Sequence, residues 1–255
     1  MKHVARNPQF NSITYEDIGA FTVGVRSHVN KMNNQIIVLI HGIGVSSAYF
    51  VPLARELAKT YTVIALDLPG YGKATKPPAP LSIEELASVM YSFLKKHNIS
   101  HSVLIGHSMG CQIIAQVSKK HPELFAKMIL LAPTTNKKER SVLKQGLRLL
   151  QDTFLESPKV NLVIFSDYVR MGVARYLQTS RWMVDDRIEE TLSENQTPAL
   201  IIRGSKDHIV PYDWALYLKE INRHHSLAQV EGAPHAFHYS YAKQTGEICK
   251  NYIEE

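Results

Sequence analysis

The stretch VLIGHSMGCQIIA, residues 103–115, decides the fold because it joins two types of secondary structure through one tight turn. Its first residues are apolar and typical of a buried strand, whereas the residues after Gly110 have the apolar spacing of a helix. Ser108 lies at the junction, between Gly106 and Gly110. A serine at so sharp a turn is held in a strained conformation, and its neighbours must be small to avoid the adjoining strand and helix. The pattern G-H-S-M-G therefore predicts a nucleophile elbow.

Strands and helices alternate on both sides of this elbow. The predicted strands are 12–25 (an antiparallel pair that turns near Gly19), 35–40, 61–70 with its loop, 102–107, 127–133, 199–204 and 226–230. The predicted helices between them are 46–60, 82–98, 109–122, 213–221 and the closing segment after His235. This alternation predicts an α/β fold with a mostly parallel sheet and right-handed crossovers.

The alternation stops for about sixty residues after the strand at 127–133. Residues 134–196 have only helical patterns, which predict helices at 137–156, 159–180 and 185–194. We therefore expect a core domain made of residues 1–133 and 197–255 and a helical cap made of residues 134–196. Such an insertion would lie over the carboxyl ends of the strands, where open α/β sheets bind their ligands.

The composition is that of a globular protein with a sizeable core. The chain has 255 residues, of which 45% are hydrophobic and 20% are charged. No stretch approaches the roughly 20 apolar residues that span a bilayer, and the first residues lack the apolar region of a secretory signal. The two cysteines, Cys111 and Cys249, favour neither a disulfide scaffold nor a thiolate zinc site. We expect a cytoplasmic protein with no stable membrane insertion and no metal.

The net charge of +6 raises the question of nucleic-acid binding. The basic residues are spread along the chain, and no nucleic-acid-binding motif is present, so we expect no nucleic-acid partner. The densest basic stretch, residues 136–150, reads as a helix with one basic face. A solvated helix face explains that pattern, and attraction to anionic substrates or acidic surfaces is the alternative.

A nucleophilic serine needs a base, and the base needs an acid that orients it. In a fold of this type the acid precedes the histidine, and each follows a late strand. Asp207 comes three residues after the strand 199–204, and His235 lies in the loop after the last strand. Both therefore fall at the same edge of the sheet as Ser108, and we predict the three as a catalytic triad.

The other candidate bases and acids fit less well. His238 lies one helical turn past His235, within the closing helix, so we expect it to pack or to line the pocket. His224 and His225 precede the last strand and belong to the opposite edge of the sheet. Asp213 lies at the start of a helix, where a capping role is more natural.

Acyl transfer also requires donors for a developing oxyanion. The amide of Met109, directly after the nucleophile, is one predicted donor. The second comes from the loop HGIG, residues 41–44, which follows the buried strand 35–40. We assign it to the amide of Ile43, and we expect His41 to fasten the loop through hydrogen bonds rather than to act in catalysis.

Five segments together resemble the α/β-hydrolase fold superfamily: HGIG (41–44), DLPGYG (67–72), GHSMG (106–110), Asp207 in RGSKDHIVP and His235 in GAPHAF. The resemblance covers nearly the whole chain. It implies an eight-stranded, mostly parallel sheet flanked by helices, a helical cap after the sixth strand, and a mechanism without metal or cofactor. Within the superfamily the chain is most similar to bacterial carboxylesterases and to the meta-cleavage-product carbon–carbon hydrolases.

The expected activity is therefore that of a serine hydrolase acting on carboxylic esters through an acyl-enzyme. We expect a small-molecule ester or related carbonyl compound as substrate, and a monomer or homodimer as the working form. The cap supplies aromatic side chains for an apolar acyl or aryl pocket, together with residues after the HGIG loop and His238. The candidate pocket residues are Tyr49, Phe50, Phe165, Tyr168, Trp182 and His238.

Two alternatives remain open at the level of sequence. The same triad hydrolyses a carbon–carbon bond in the meta-cleavage-product type, and a substrate carboxylate would then need cations such as Arg170, Arg175 or Arg181. The other alternative is a small-molecule receptor or regulator that retains the triad. The sequence PHAFHY around His235 lacks the HLP-like context that is usual in such receptors.

Overall fold

The computed structural model describes residues 10–255, and its centre is one eight-stranded sheet. The strand order is β1-β2-β4-β3-β5-β6-β7-β8, and β2 alone runs against the others. The strands are β1 (Thr14–Ile18), β2 (Phe21–His28), β3 (Ile36–Ile40), β4 (Thr62–Asp67), β5 (Ser102–His107), β6 (Phe125–Leu131), β7 (Ala199–Gly204) and β8 (His225–Val230). This confirms the mostly parallel eight-stranded sheet that the sequence predicts.

Helices cover the sheet and follow its strands in alternation. They are α1 (Val51–Leu57), α2 (Ile83–Lys96), α3 (Met109–Lys120), α4 (Val142–Thr153), α5 (Pro158–Met171), α6 (Val173–Asp185), α7 (Ile188–Ser193), α8 (Tyr212–Glu220), α9 (Phe237–Ser240) and α10 (Ala242–Glu254). Helix α1 packs against α10, and α2 packs against α3. Every residue of the central strands β5 and β7 is buried, because both faces of the sheet are covered. Continuous apolar runs, rather than alternating ones, are the sequence signature of that environment.

Three predicted helices differ from the observed ones. The helix predicted over 159–180 is wrong, because Gly172 has φ of 86° and separates α5 from α6. The helix predicted over 46–60 begins as a 3₁₀ turn, Ser47–Phe50, before α1. The closing helix is interrupted at Tyr241, between α9 and α10.

Helices α4 to α7 make up most of the connection from β6 to β7. The side-chain amide of Gln112 on α3 donates a hydrogen bond of 2.8 Å to the carbonyl of Met183 on α6, which ties this connection to the sheet layer. The division into a core domain and a separate cap domain stays a prediction. Among residues 10–255, no helix is both long and apolar enough to cross a membrane.

Candidate active site

Ser108 occupies the turn between β5 and α3, as the sequence predicts. Its φ of 55° and ψ of −121° are strained values for a residue with a side chain. The Ser108 amide donates to the carbonyl of Leu131 at the end of β6, over 2.9 Å, and this bond holds the turn against the sheet. The serine is therefore fixed at the amino end of α3, where free amides and the helix dipole favour negative charge.

Two glycines make this turn possible by allowing backbones to approach. A Cβ atom on Gly106 would come within 2.5 Å of the carbonyl oxygen of Gly110. A Cβ atom on Gly110 would collide with the carbonyl oxygen of Ile40 on β3. The small residues on both sides of Ser108 are thus required by close contacts between β5, α3 and β3.

The structure brings His235 and Asp207 together at the same edge of the sheet. Nδ1 of His235 lies 2.9 Å from Oδ2 of Asp207. The other carboxylate oxygen, Oδ1, accepts hydrogen bonds from the amides of Ile209 and Val210, at 2.8 and 2.9 Å. These bonds fix the carboxylate, which in turn fixes the imidazole with its Nδ1 proton toward Asp207. Nε2 is then the nitrogen that can act as a base.

Two further carboxyl groups, from the helical connection between β6 and β7, contact the loop that carries His235 and Ala236, which we call the histidine loop. The amide of His235 donates to Oδ1 of Asp152 over 3.1 Å, and the amide of Ala236 donates to Oε1 of Glu156 over 2.5 Å. Asp152 and Glu156 are buried. Sequence reasoning missed both of them. The only sequence signal is their spacing of four residues, which places two acidic side chains on one face of the helix predicted over 137–156.

These carboxyl groups change the protonation of the site. Burial lowers the pKa of His235, but Asp207, Asp152 and Glu156 outweigh burial and raise it to about 9. Burial also raises the pKa of Glu156 to about 8, with the negative charge of Asp152 adding to the effect. The site therefore places three carboxyl groups around one imidazole, and Glu156 gains its negative charge only near pH 8.

The loop after β3 lies beside the elbow and offers free amides. The amides of Ile43 and Met109, the two predicted oxyanion donors, have no hydrogen-bond partner within residues 10–255. The neighbouring amide of Gly42 is already used, because it donates to the Tyr49 hydroxyl over 2.7 Å. His41 fixes the loop through two hydrogen bonds. Its Nδ1 lies 2.9 Å from the Gly42 carbonyl oxygen, and its Nε2 accepts a hydrogen bond from the amide of Leu68 at 3.1 Å.

A cavity of about 700 Å³ opens above this edge of the sheet, and both Ser108 and His235 line it. Three of the predicted pocket residues, Tyr49, Phe165 and Tyr168, are part of its wall. Helices α4, α5 and α6 supply most of the remaining wall, which is largely apolar. The cavity thus places a space for an apolar group next to the proposed nucleophile.

The other three predicted pocket residues do not line this cavity, and His238 packs in the core, which is one of the two roles expected for it. Phe50 is fully buried in the core, because it follows Tyr49 in a 3₁₀ turn and points away from the cavity. His238 is also fully buried, and its ring packs 4.4 Å from the Tyr49 ring, behind the cavity wall. Trp182 is 39% exposed and lies outside the lining.

The three arginines that the sequence offers for carboxylate binding lie outside the cavity. Arg170 pairs with Asp167 at 3.0 Å, and Arg175 donates to the carbonyl of Pro77 over 2.5 Å. Arg181 is exposed, and none of the three lines the cavity. Within residues 10–255, no three His, Cys, Asp or Glu side chains are grouped to hold a metal ion.

Comparison with known proteins gives the family. The family model of the alpha/beta hydrolase fold matches residues 35–164, about half of the chain. A Bacillus subtilis (strain 168) protein named uncharacterized hydrolase YugF is 27% identical over 73% of this chain and 78% of its own length. The (E)-2-((N-methylformamido)methylene)succinate hydrolase of Acinetobacter baylyi is 22% identical over 86% of this chain and 90% of its own.

A solved structure shows the same fold. The enol-lactonase from Burkholderia xenovorans LB400 superposes with a TM-score of 0.81 at 18% identity, covering 95% of this chain and all of that one. The sheet, the elbow and the family match agree with one another, and the chain belongs to the alpha/beta hydrolase fold family and is a hydrolase.

Proposed function

We propose that the chain is a serine hydrolase that cleaves carboxylic esters through an acyl-enzyme. The observation that carries this proposal is the bond of 2.9 Å between His235 and Asp207 at a cavity that Ser108 also lines. The imidazole is oriented by a fixed carboxylate, and the serine is presented by a strained turn. These are the three parts that an activated serine requires.

The reaction follows from these positions. Ser108 Oγ attacks the carbonyl carbon while Nε2 of His235 takes its proton, and Asp207 stabilises the resulting imidazolium. The amides of Ile43 and Met109 receive the oxyanion, since both are free to donate. His235 then protonates the departing alcohol, and water releases the acid from Ser108 by the reverse sequence.

We propose a neutral, apolar acyl or aryl group as the preferred substrate. The described cavity wall includes no lysine or arginine, and it includes the carboxyl groups of Asp152 and Glu156. A substrate carboxylate would lose its hydration and would lie near two acidic groups. No lysine or arginine of the described wall would compensate it, and the imidazolium of His235 is already paired with Asp207. The same observation argues against the carbon–carbon hydrolase alternative and against the succinate-type substrates that the relatives' names describe.

We also propose that residues 134–196 act as a cap. Helices α4 to α6 form most of the cavity wall, so the substrate has to fit beneath them. Every group of the proposed site comes from one chain, and a single copy is therefore sufficient for the reaction. A receptor role is less favoured because Ser108 lines the cavity and no residue of the range 10–255 separates it from that space.

The direct test is labelling with a fluorophosphonate probe, with p-nitrophenyl ester hydrolysis measured in parallel. Ser108→Ala should abolish labelling and lower kcat by about 10⁴-fold or more, with the thermal midpoint unchanged. Ser92→Ala removes an exposed hydroxyl from α2 and is the control. It should keep both the labelling and the kcat of the wild type. Labelling of Ser108→Ala, or ester turnover at the wild-type rate, would refute the assignment.

A further inference from the structure

The outer surface of helices α4, α5 and α6 is unusually apolar. Side chains that a globular protein normally buries point outward here: Phe154 is 82% exposed, Val173 77% and Leu143 74%. We call this surface the outer apolar face; its other main members are Leu150, Leu162 and Val169. An exposed apolar area that extends over three helices marks an interaction surface rather than ordinary scatter.

On the same helices most acidic side chains are buried, whereas several cations are exposed. Residues 141–184 contain three acidic side chains, Asp152, Glu156 and Asp167, and all three are buried. Asp152 and Glu156 contact the histidine loop, and Asp167 accepts hydrogen bonds from Ser46. The exposed surface of residues 141–184 therefore carries no carboxylate, and Asp185, the last residue of α6, is the one exposed acidic side chain on the three helices.

Exposed cations lie on the same three helices as the outer apolar face. Lys144, Lys159 and Arg181 are exposed, and none has an ion-pair partner within the part of the chain that the structure describes. The neighbouring Lys138 and Arg148 are paired, with Asp213 and Glu139. Exposed cations without an ion-pair partner in the protein can pair with anionic groups of another molecule.

The cavity opens onto this face. Leu147, Phe165 and Leu177 line the cavity and are also 54%, 67% and 47% exposed. Helix α6 packs against both α4 and α5, so these side chains form one mouth among the three helices. An apolar molecule that leaves a lipid layer at this point would enter the cavity without crossing water.

We propose that the outer apolar face docks on an anionic phospholipid surface. Apolar side chains on one face and unpaired cations beside them are the features by which helices lie in a membrane interface. The binding is peripheral, since the helices contribute side chains and do not cross the bilayer. A second copy of the chain is a poorer occupant, because joining two such faces would bring their unpaired cations together in a protein of net charge +6.

The test is co-sedimentation of the full chain with extruded vesicles. Vesicles of phosphatidylcholine and phosphatidylglycerol in equal amounts should bind at least tenfold more tightly than vesicles of phosphatidylcholine alone. Binding to the anionic vesicles should weaken in 0.5 M salt, because the cations contribute through long-range attraction. No substrate is turned over in this assay, so its outcome is independent of the proposed ester hydrolysis.

Two variants separate the apolar and the charged contributions. Leu150→Gln with Phe154→Gln should lower anionic-vesicle binding at least tenfold, and neither side chain lines the cavity. The matched control is Val29→Gln with Met32→Gln, which removes exposed apolar side chains at the opposite edge of the sheet and should change binding less than twofold.

The charge variant replaces Lys144, Lys159 and Arg181 with Gln, and should also lower binding at least tenfold. Its control replaces Lys95, Lys120 and Lys243, which are exposed on α2, α3 and α10, and has the same net charge. Loss of binding in both triple variants would show attraction to overall charge and would overturn the proposal.

Two more results would overturn it. One is absence of wild-type binding to the anionic vesicles. The other is a wild-type dimer by light scattering that the Leu150→Gln and Phe154→Gln changes convert to a monomer, since the face would then be covered by a second copy.

Discussion

The hydroxyl of Tyr49 lies 2.9 Å from Nδ1 of His107, the residue directly before Ser108. His107 Nε2 lies 3.0 Å from the carbonyl oxygen of His235, so Nε2 carries the ring proton and donates to that oxygen. Nδ1 then accepts a hydrogen bond from the Tyr49 hydroxyl. The Tyr49 oxygen accepts from the Gly42 amide in turn. Burial, with the neighbouring His238 and His235 adding to it, holds the pKa of His107 well below its usual value, and the ring is neutral. One chain of hydrogen bonds thus joins the oxyanion loop, the elbow and the histidine loop.

Tyr49→Phe should break this chain without changing the shape of the core. The Gly42 amide and His107 Nδ1 would each lose a buried partner, at a cost of about 1–3 kcal/mol per group. We expect a lower thermal midpoint and a kcat for ester hydrolysis reduced about tenfold, with KM changed less than twofold. Tyr212→Phe removes a hydroxyl from a side chain that is 54% exposed and serves as the control. An unchanged kcat in a less stable Tyr49→Phe variant would show that the hydrogen bonds are structural only.

The elbow itself gives a second prediction. Gly110→Ala places a methyl group against the backbone of Ile40, which cannot move without shifting β3. Overpacking of this type costs about 1–3 kcal/mol, and we expect urea denaturation to show that loss. Gly146→Ala is the matched control: its added methyl meets no atom within 4 Å, in the middle of α4. There the change should stabilise the protein by about 0.5–1 kcal/mol. Equal effects at both positions would contradict the close contact at the elbow.

The sequence predicts the elbow well because its requirements are local. Steric needs of a strand-to-helix turn select glycine at fixed positions, and Asp207 and His235 each follow a strand that its apolar run identifies. Asp152 and Glu156 could not be found in this way. They contact a loop more than 75 residues further along the chain, and no local pattern encodes the angle at which α4 crosses the sheet edge. The same limit explains why the sequence places Phe50 in the pocket although it does not line the cavity. Neighbouring residues in a 3₁₀ turn point in different directions, and of the two only Tyr49 faces the cavity.

The raised pKa of His235 predicts how activity depends on pH. With a pKa of about 9, the imidazole of the free enzyme is mostly protonated at pH 7 and is then no base. The ratio kcat/KM should therefore rise with pH up to about 9. Asp152→Asn removes one negative charge near the ring and keeps an oxygen that accepts from the His235 amide. The midpoint of the profile should move to lower pH by about half a unit or more.

The control for this shift is Asp185→Asn, which makes the same change of charge on an exposed side chain of α6. Its pH profile should match that of the wild type. A profile for Asp152→Asn that coincides with the wild-type profile would show that Asp152 does not act on His235 through charge.

The carboxyl groups of the cavity predict discrimination against acidic substrates. The p-nitrophenyl monoester of succinic acid and p-nitrophenyl pentanoate have acyl groups of similar size and differ in one terminal carboxylate. We expect kcat/KM at pH 8.5 to be at least tenfold lower for the succinate, because its carboxylate would enter a wall that contains Asp152 and Glu156 but no described lysine or arginine, and the His235 imidazole is already paired with Asp207. Near that pH Glu156, with a pKa of about 8, is largely ionised and adds to the repulsion.

Glu156→Gln keeps an acceptor for the Ala236 amide and should narrow the difference in kcat/KM between the two esters. Glu247→Gln, on the exposed side of α10, is the control and should leave that difference unchanged. Equal rates for the two esters in the wild type would remove the electrostatic basis for a neutral substrate and would restore the carboxylate-bearing substrates as candidates.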